Sequence, residues 1–141
     1  MKPIKIVSGG QTGADRAALD WALTHKVECG GWCPKGRKAE DGPIDPKYPL
    51  KETPSVAYFQ RTEWNVRDSD ATVLFSVDPK LTGGSLKTME FARAHNKPCL
   101  HLCLRDETAA EKLKAFAAEH RVTILNVAGP RASKEPRVGN S

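Results

Sequence analysis

The sequence predicts an α/β domain with a doubly wound, mostly parallel sheet and helices on both of its faces. Short runs rich in β-branched residues alternate with stretches of helical periodicity, which is typical of parallel strands joined by crossover helices. No repeat, linker or low-complexity segment divides the 141 residues, so we expect a single domain over residues 1–141 with a loose tail from residue 129. A chain of this length buries roughly 68% of its unfolded surface, enough for a core without metal or disulfides.

Strands are predicted where short apolar runs are bounded by turn residues. They are Ile4–Val7, Gly31–Cys33, Ala71–Ser76, Cys99–Leu104 and Val122–Val127. Helices are predicted between them from helical periodicity and from start signals. They are Ala14–Thr24, Pro54–Val66, Ser85–His95 and Asp106–His120.

Local signals support the starts of three of these helices. Asp15 lies in the first turn of the first helix, where the macrodipole favours a carboxylate. Thr53 and Pro54 are suited to the N-cap and the first position of the second helix. Thr108 and Glu111 have the spacing of a capping box at the start of the fourth helix.

Residues 34–50 form a long connection without periodicity that contains four prolines and two glycines. Long irregular loops inside compact domains are usually functional. Lys35, Arg37 and Lys38 give this loop a basic cluster, which Glu40 and Asp41 partly balance. The loop is interpreted either as a lid or clamp over an anionic ligand or as a solvated run of charges.

Two glycine-rich loops each follow a strand and precede a helix. The first is S-G-G-Q-T-G-A-D at residues 8–15, and the second is L-T-G-G-S-L-K-T at residues 81–88. The first matches neither a Walker A loop nor G-x-G-x-x-G, and alone it could be a tight turn. Because ligands of open α/β sheets bind at the carboxyl ends of the strands, two such helix N-termini predict a site for a phosphate or another anion.

The second helix carries a polar stripe of Tyr58, Arg61, Thr62 and Asn65 at positions that share one helical face. The stripe indicates ligand contact or a buried polar network, although a solvated surface gives the same pattern. Asp70 precedes the following strand, where a carboxylate could bind N–H groups of a ligand or simply cap a turn. The segment G-P-R-A-S-K-E-P-R could bring Arg131, Ser133 and Lys134 to the same ligand edge, or fray.

Composition narrows the class of protein. Lys and Arg number 22 against 17 Asp and Glu, and the net charge of +5 favours anionic ligands. No apolar run is long enough for a membrane span or signal peptide, so we expect a cytoplasmic protein that makes no membrane contact. The two C-x-x-x-C pairs do not have zinc-site spacing, and we interpret their cysteines as buried small hydrophobes with no metal bound.

The chain resembles the molybdenum cofactor carrier family, a branch of the lysine-decarboxylase-like and DprA-like Rossmann-like superfamily. The resemblance rests on V-S-G-G-Q-T-G-A-D-R-A-A-L-D-W-A, G-G-W-C-P-K-G-R-K-A-E-D-G-P-I, Y-P-L-K-E-T, Y-F-Q-R-T-E-W-N-V-R-D-S-D-A-T, L-T-G-G-S-L-K-T and N-V-A-G-P-R-A-S-K-E-P. It implies a homo-oligomer that binds and protects the molybdenum cofactor, a phosphate-bearing molybdopterin with an oxo-molybdenum centre, and that could deliver it to molybdoenzyme acceptors. The implied cofactor-binding residues are Gly9, Gly10, Gln11, Thr12, Gly13, Asp15, Arg16, Lys35, Gly36, Arg37, Glu52, Arg61, Asn65, Asp70, Gly83, Gly84, Ser85 and Thr88.

Two other functions remain as alternatives. Related phosphoribohydrolases, which release the base of nucleoside 5'-monophosphates, use a motif that Gly83, Gly84, Thr88 and Glu90 resemble, although its P-G-G-x-G-T-x-x-E pattern is broken here. General nucleotide binding without turnover is also compatible with the two loops. No histidine lies in these loops, which favours a binding protein without catalytic residues over an enzyme. A nucleic-acid-binding module is disfavoured because the chain lacks an aromatic stacking array.

Overall fold

The structure, a computed structural model, describes residues 4–77, 80–81 and 83–131. Its strands are β1 (Lys5–Val7), β2 (Cys29–Gly30), β3 (Trp32–Cys33), β4 (Lys51–Glu52), β5 (Ala71–Ser76), β6 (Cys99–Cys103) and β7 (Ile124–Ala128). Its helices are α1 (Ala14–Thr24), α2 (Tyr58–Arg67), α3 (Gly83–Ala94) and α4 (Ala109–Glu119). Strands β2, β1, β7, β5 and β6, in this order, form a parallel sheet, while β3 and β4 form a separate parallel pair.

Helices cover both faces of the sheet, which confirms the predicted fold class. On one face, Ala22 of α1 and Phe116 of α4 pack in one apolar cluster with Val73 and Val127. Successive strand residues point to opposite faces, so Asn126, the neighbour of Val127, points to the other face. There α2 and α3 pack side by side and close around Asn126.

The predicted strand at Gly31–Cys33 is shortened to β3, and Gly31 separates it from β2, which belongs to the main sheet. Gly31 has a φ of +128°, and a Cβ on it would lie 2.3 Å from the backbone oxygen of Ser8. This close approach turns the chain out of the main sheet after β2 and into β3. Its partner β4 has only two residues and gives no recognisable pattern in the sequence.

The second helix begins at Tyr58, so the predicted start at Thr53 and Pro54 is wrong by about one turn. The hydroxyl of Thr53 donates to the backbone oxygens of Cys33 and Ser55 and does not cap a helix. Ala57 remains extended, with φ −70° and ψ 139°. Thr53 therefore links the segment after β4 to Cys33 of β3, and these tertiary contacts override its preference for a helix N-cap.

The capping box predicted at Thr108 and Glu111 is also wrong. Thr108 precedes α4, but its hydroxyl donates to Oδ1 of Asp106 at 2.6 Å rather than to a backbone group of the helix. The backbone N–H of Thr108 donates to the same oxygen at 2.8 Å. Asp106 thus organises this turn, a role that short acidic side chains often take.

Residues 34–50 pack around Arg37, Ile44 and Tyr48, while the other charged side chains of the loop are exposed. The Arg37 guanidinium donates to the backbone oxygens of Ile44, Asp45, Tyr48 and Leu50, at distances from 2.8 to 3.3 Å. Ile44 and Tyr48 are buried against Leu19 of α1 and Cys33. Arg37 therefore stabilises the loop from within, because four backbone carbonyl groups of the loop accept hydrogen bonds from it.

In the described part of the chain, no helix has the length and apolar character required to cross a membrane. All four cysteines are free; Cys33 is buried and the other three are partly buried. Burial raises the pKa of the Cys99 thiol to about 11.

Candidate functional site: a basic cleft at the carboxyl edge of the sheet

A cleft of about 650 Å³ lies between α2 and α3 at the carboxyl ends of β5 and β7. Parallel strands end at the same edge of a sheet, so the loops that follow them meet there. The cleft is lined by Asp15, Ala57, Tyr58, Phe59, Arg61, Thr62, Ser76, Lys80, Leu81, Gly83, Gly84, Ser85, Thr88, Ala128, Gly129, Pro130 and Arg131. Among these described residues three are cationic and one is acidic, so the cleft favours an anionic ligand.

The second glycine-rich loop is open to this cleft. Gly83, with a φ of +55°, and Gly84 begin α3, and a Cβ on either would have no described atom within 4 Å. Ser85 lies beside them, and one turn further the Thr88 hydroxyl donates to the Gly84 carbonyl at 3.0 Å. Since the first-turn N–H groups of a helix have no intrahelical partner, this end of α3 presents donors to the cleft.

The first glycine-rich loop is filled by side chains of the chain itself. A Cβ on Gly9 would lie 2.5 Å from Nη1 of Arg61. On Gly10, whose φ is +73°, it would lie 2.4 Å from Cδ1 of Leu50. Glycine is thus needed at both positions because protein atoms approach the backbone closely.

The rest of the first loop is covered by the 34–50 segment. The Gln11 amide donates to the backbone oxygen of Lys38 at 2.9 Å, and the Thr12 hydroxyl donates to Glu40 at 2.5 Å. Arg16 forms an ion pair with Asp41 at 2.5 Å. Gly10, Gln11, Thr12, Gly13 and Arg16 do not line the cleft, and only Asp15 of this helix start reaches it.

Asp15 and Arg61 form a buried ion pair in the wall of the cleft. Oδ2 of Asp15 lies 3.4 Å from Nη1 of Arg61, and the two side chains are 4% and 15% exposed. Nε of Arg61 is buried without a hydrogen-bond partner in the described structure. Burial raises the pKa of Asp15 although the Arg61 charge opposes this shift, and burial lowers the pKa of Arg61 although Asp15 opposes it.

Aromatic and cationic side chains meet at the α2 side of the cleft. The Tyr58 ring centroid lies 4.5 Å from Nζ of Lys38, 5.3 Å from Cζ of Arg131 and 5.9 Å from Cζ of Arg61. Phe59 also lines the cleft and is 55% exposed. The cleft therefore offers an apolar ring surface next to its positive charges.

Ser76, at the end of β5, brings a histidine close to the cleft. Its Oγ lies 2.6 Å from Nε2 of His101 on β6. Burial lowers the pKa of His101 and so favours its neutral form. Sequence reasoning placed this histidine in a strand but gave no sign of its nearness to a site.

Several predicted site residues lie outside the cleft and make structural contacts. Glu52 accepts a hydrogen bond from the Gly36 N–H at 2.6 Å, and Lys35 is exposed. Asn65 donates to and accepts from the Trp32 backbone, at 2.9 and 2.8 Å, and lines only a small polar cavity of about 10 Å³ beneath the cleft.

Asp70 lies at the amino end of β5, on the sheet edge opposite the cleft. Its Oδ2 accepts three hydrogen bonds at 2.8 Å, from the N–H and hydroxyl of Thr123 and from the N–H of Ile124. Burial raises the pKa of this carboxyl, but the three hydrogen bonds outweigh burial and lower it overall. Asp70 thus joins β5 to the start of β7, since it accepts from N–H groups there and not from those of its own turn.

The cleft gathers only part of the predicted site, and it adds residues that were not predicted. The structure brings Asp15, Arg61, Gly83, Gly84, Ser85 and Thr88 together in its lining, and it places Gly9 and Asn65 around the small cavity below. Tyr58 and Thr62 of the polar stripe also face the cleft, and so does Arg131. Ser133 and Lys134 lie outside the described residues. Phe59 and Lys80 line the cleft but were not predicted as site residues. Lys80 follows the strand β5 closely, and this position was the one signal that could have indicated it.

The fold and the cleft define a Rossmann-like α/β protein with a basic site at the carboxyl edge of its sheet. The sequence model of the circularly permutated YpsA SLOG family matches residues 6–141, and the chain belongs to this family. The chain is 48% identical to a putative molybdenum carrier protein from Syntrophus aciditrophicus SB, whose crystal structure it matches with a TM-score of 0.95. The match covers 98% of this chain and 89% of the other. No curated protein matches the chain. The resemblance to molybdenum carrier proteins is confirmed at the level of the family.

Proposed function

We propose that the chain binds and carries the molybdenum cofactor as its cargo, with the anionic groups of the cofactor in the cleft between α2 and α3. The observation that supports this most strongly is the charge of the cleft, which Arg61, Lys80 and Arg131 line against Asp15. The 48% identical Syntrophus protein is named a molybdenum carrier, which supports the choice of ligand.

The cleft has donors that suit the two anionic groups of the cofactor, its phosphate and its oxo-molybdenum centre. The open first turn of α3, at Gly83, Gly84 and Ser85, supplies N–H groups and a hydroxyl. Arg61 and Arg131 add guanidinium groups, which bind oxoanions in a bidentate way. Tyr58 and Phe59 give a ring surface that suits a planar pterin. Such a carrier acts by holding and shielding the cofactor and needs no catalytic residue.

The proposal is tested by titrating the protein with cofactor isolated from a molybdoenzyme, under anaerobic conditions. The rate at which air then oxidises the cofactor measures protection. We expect saturable binding and slower oxidation in the presence of the protein. An unchanged oxidation rate at saturating protein concentration would contradict a carrier function.

Gly84→Asp tests whether the cleft is the binding site. A carboxylate there would face the ligand at the start of α3, while a Cβ meets no described atom, so the fold should be retained. Juxtaposed like charges cost several kcal/mol, so we expect affinity to fall by about tenfold or more. Ala110→Asp is the matched control, because it places the same charge at the second residue of α4, away from the cleft lining.

Phosphoribohydrolase activity is the alternative, and release of adenine from AMP measures it. Glu90, which the hydrolase motif would require, is exposed and does not line the cleft. The geometry therefore favours binding over hydrolysis.

A further inference from the structure

The wall of this basic cleft contains a buried carboxylate. Asp15 lines the cleft, and its side chain is only 4% exposed. A charged carboxylate in an anion site repels a bound anion. It would weaken binding unless a proton lay between the carboxylate and the anion. The presence of Asp15 in the wall therefore bears on which anions the cleft can bind.

Asp15 makes long contacts with Arg61 and Gln11 and a further backbone hydrogen bond with Gly9. Its Oδ2 is 3.4 Å from both Nη1 of Arg61 and the backbone N of Gln11, whereas strong charge-assisted hydrogen bonds measure about 2.7–2.9 Å. A carboxylate can accept about four hydrogen bonds, so Asp15 retains acceptor capacity toward the cleft.

The charged groups around Asp15 come from several elements. Arg61 faces it from α2, Arg16 lies next to it on α1, and Arg131 and Lys80 line the same cleft from the segments after β7 and β5. α3 contributes the uncharged Thr88. An anion that enters the cleft would compete with Asp15 for Arg61, the cation that stabilises the charged carboxylate most.

We propose that the cleft takes up an oxoanion together with one proton, which is shared in a hydrogen bond between the Asp15 carboxyl group and an oxygen of the anion. The inference rests on the proposed function, because it concerns the same site. The proton arrives either on the anion or from water and ends between the two oxygens, and no covalent bond other than O–H changes. Asp15 then selects oxoanions that can carry a proton and disfavours those that cannot.

Burial supports this assignment because it already raises the pKa of Asp15. Partial withdrawal of the Arg61 charge by the anion would raise it further. Binding of an aprotic anion should therefore strengthen as pH falls, since protonation of Asp15 removes the repulsion.

Inorganic phosphate and sulfate are suitable probes because they have the same shape and, at about pH 8, similar charge, but only phosphate carries a proton. We expect isothermal calorimetry at that pH to show about tenfold or greater preference of the native protein for phosphate, given the cost of juxtaposed like charges. Sulfate affinity should rise as the pH is lowered from about 8 to about 6.

Asp15→Asn removes the charge with little change of shape and should reduce the preference to within about twofold, mainly through a gain in sulfate affinity. It should also abolish the pH dependence of sulfate binding. Asp68→Asn, an exposed position that bonds Trp32 and Arg67 outside the cleft, is the control and should behave as the native protein.

Equal affinity of the native protein for the two anions would overturn the inference while leaving the anion site intact, and this comparison needs no variant. A folded Asp15→Asn protein that keeps the preference would overturn it as well. If neither anion bound to the native protein, the proposed anion site would fail and the inference with it.

Discussion

The two glycine-rich loops of this protein look alike in sequence but differ in what fills the space next to their backbones. In the first loop, Arg61 and Leu50 occupy the positions that side chains on Gly9 and Gly10 would need. In the second loop, Gly83 and Gly84 adjoin open space in the described structure. The same residue type thus serves internal packing in one loop and leaves room for a ligand in the other.

Because of this difference, the two loops contribute different parts of the cleft. The first loop holds Asp15 and Arg61 in the wall of the cleft, and the 34–50 segment covers the rest of it. The second loop presents the open start of α3 to the cleft. A glycine-rich turn at a helix start therefore indicates a ligand only when nothing in the chain itself occupies the space beside it.

Removal of the Arg61 guanidinium should lower the free energy of unfolding most, because this group fills the space beside Gly9 and pairs with Asp15. Arg61→Met keeps much of the side-chain volume but leaves Asp15 buried without its cation. Breaking a buried pair in this way costs about 3–5 kcal/mol, and we expect about 3 kcal/mol at pH 8 from denaturant unfolding.

The pH dependence of this loss follows from Asp15. Its pKa is raised by burial, so the charged form lowers stability above that pKa, and the penalty disappears as the pH falls. Without Arg61 the pKa rises further, and the deficit of the variant should be smaller at pH 5 than at pH 8. An equal loss of unfolding free energy at both pH values would show that the pKa of Asp15 does not depend on Arg61.

Gly10→Ala should have an intermediate effect confined to the first loop. The new Cβ would lie 2.4 Å from Cδ1 of Leu50, at a φ of +73° that L-residues rarely adopt. Leu50 can move, so we expect a loss of about 1–3 kcal/mol in the free energy of unfolding. Thermal and denaturant unfolding measure it, and a loss below about 0.5 kcal/mol would mean that the first loop is less tightly filled than the structure indicates.

The parts of the fold that local periodicity determines were predicted well. The bounds of α1 and β5 agree with the sequence prediction, because each has an uninterrupted pattern of its own type. The predicted start of α2 was wrong because Thr53 donates to the backbone oxygen of Cys33, a residue 20 positions away, and no local signal in the sequence shows this contact.

The candidate site was predicted in part, at residues whose position at a helix start or on one helical face already places them at this edge of the sheet. Arg61, Gly84 and Thr88 line the cleft as their positions suggested. Arg37 was interpreted as part of a basic clamp or of a solvated run of charges, but it donates to carbonyl groups up to 13 residues away. A guanidinium has the same sequence signature whether it binds a ligand or the chain itself, so tertiary structure is needed to tell them apart.

The smallest effect should come from Gly84→Ala, the counterpart of Gly10→Ala in the second loop. A methyl group at Gly84 meets no described atom, and the residue is already helical within α3. Alanine restricts the unfolded chain, so we expect a gain of about 0.4–1 kcal/mol in the free energy of unfolding, measured with denaturant. Phosphate affinity should change by less than about twofold, because the backbone N–H groups remain and the methyl adds no charge. A destabilised Gly84→Ala protein would show that the second loop is filled like the first, and the contrast between the two loops would then be lost.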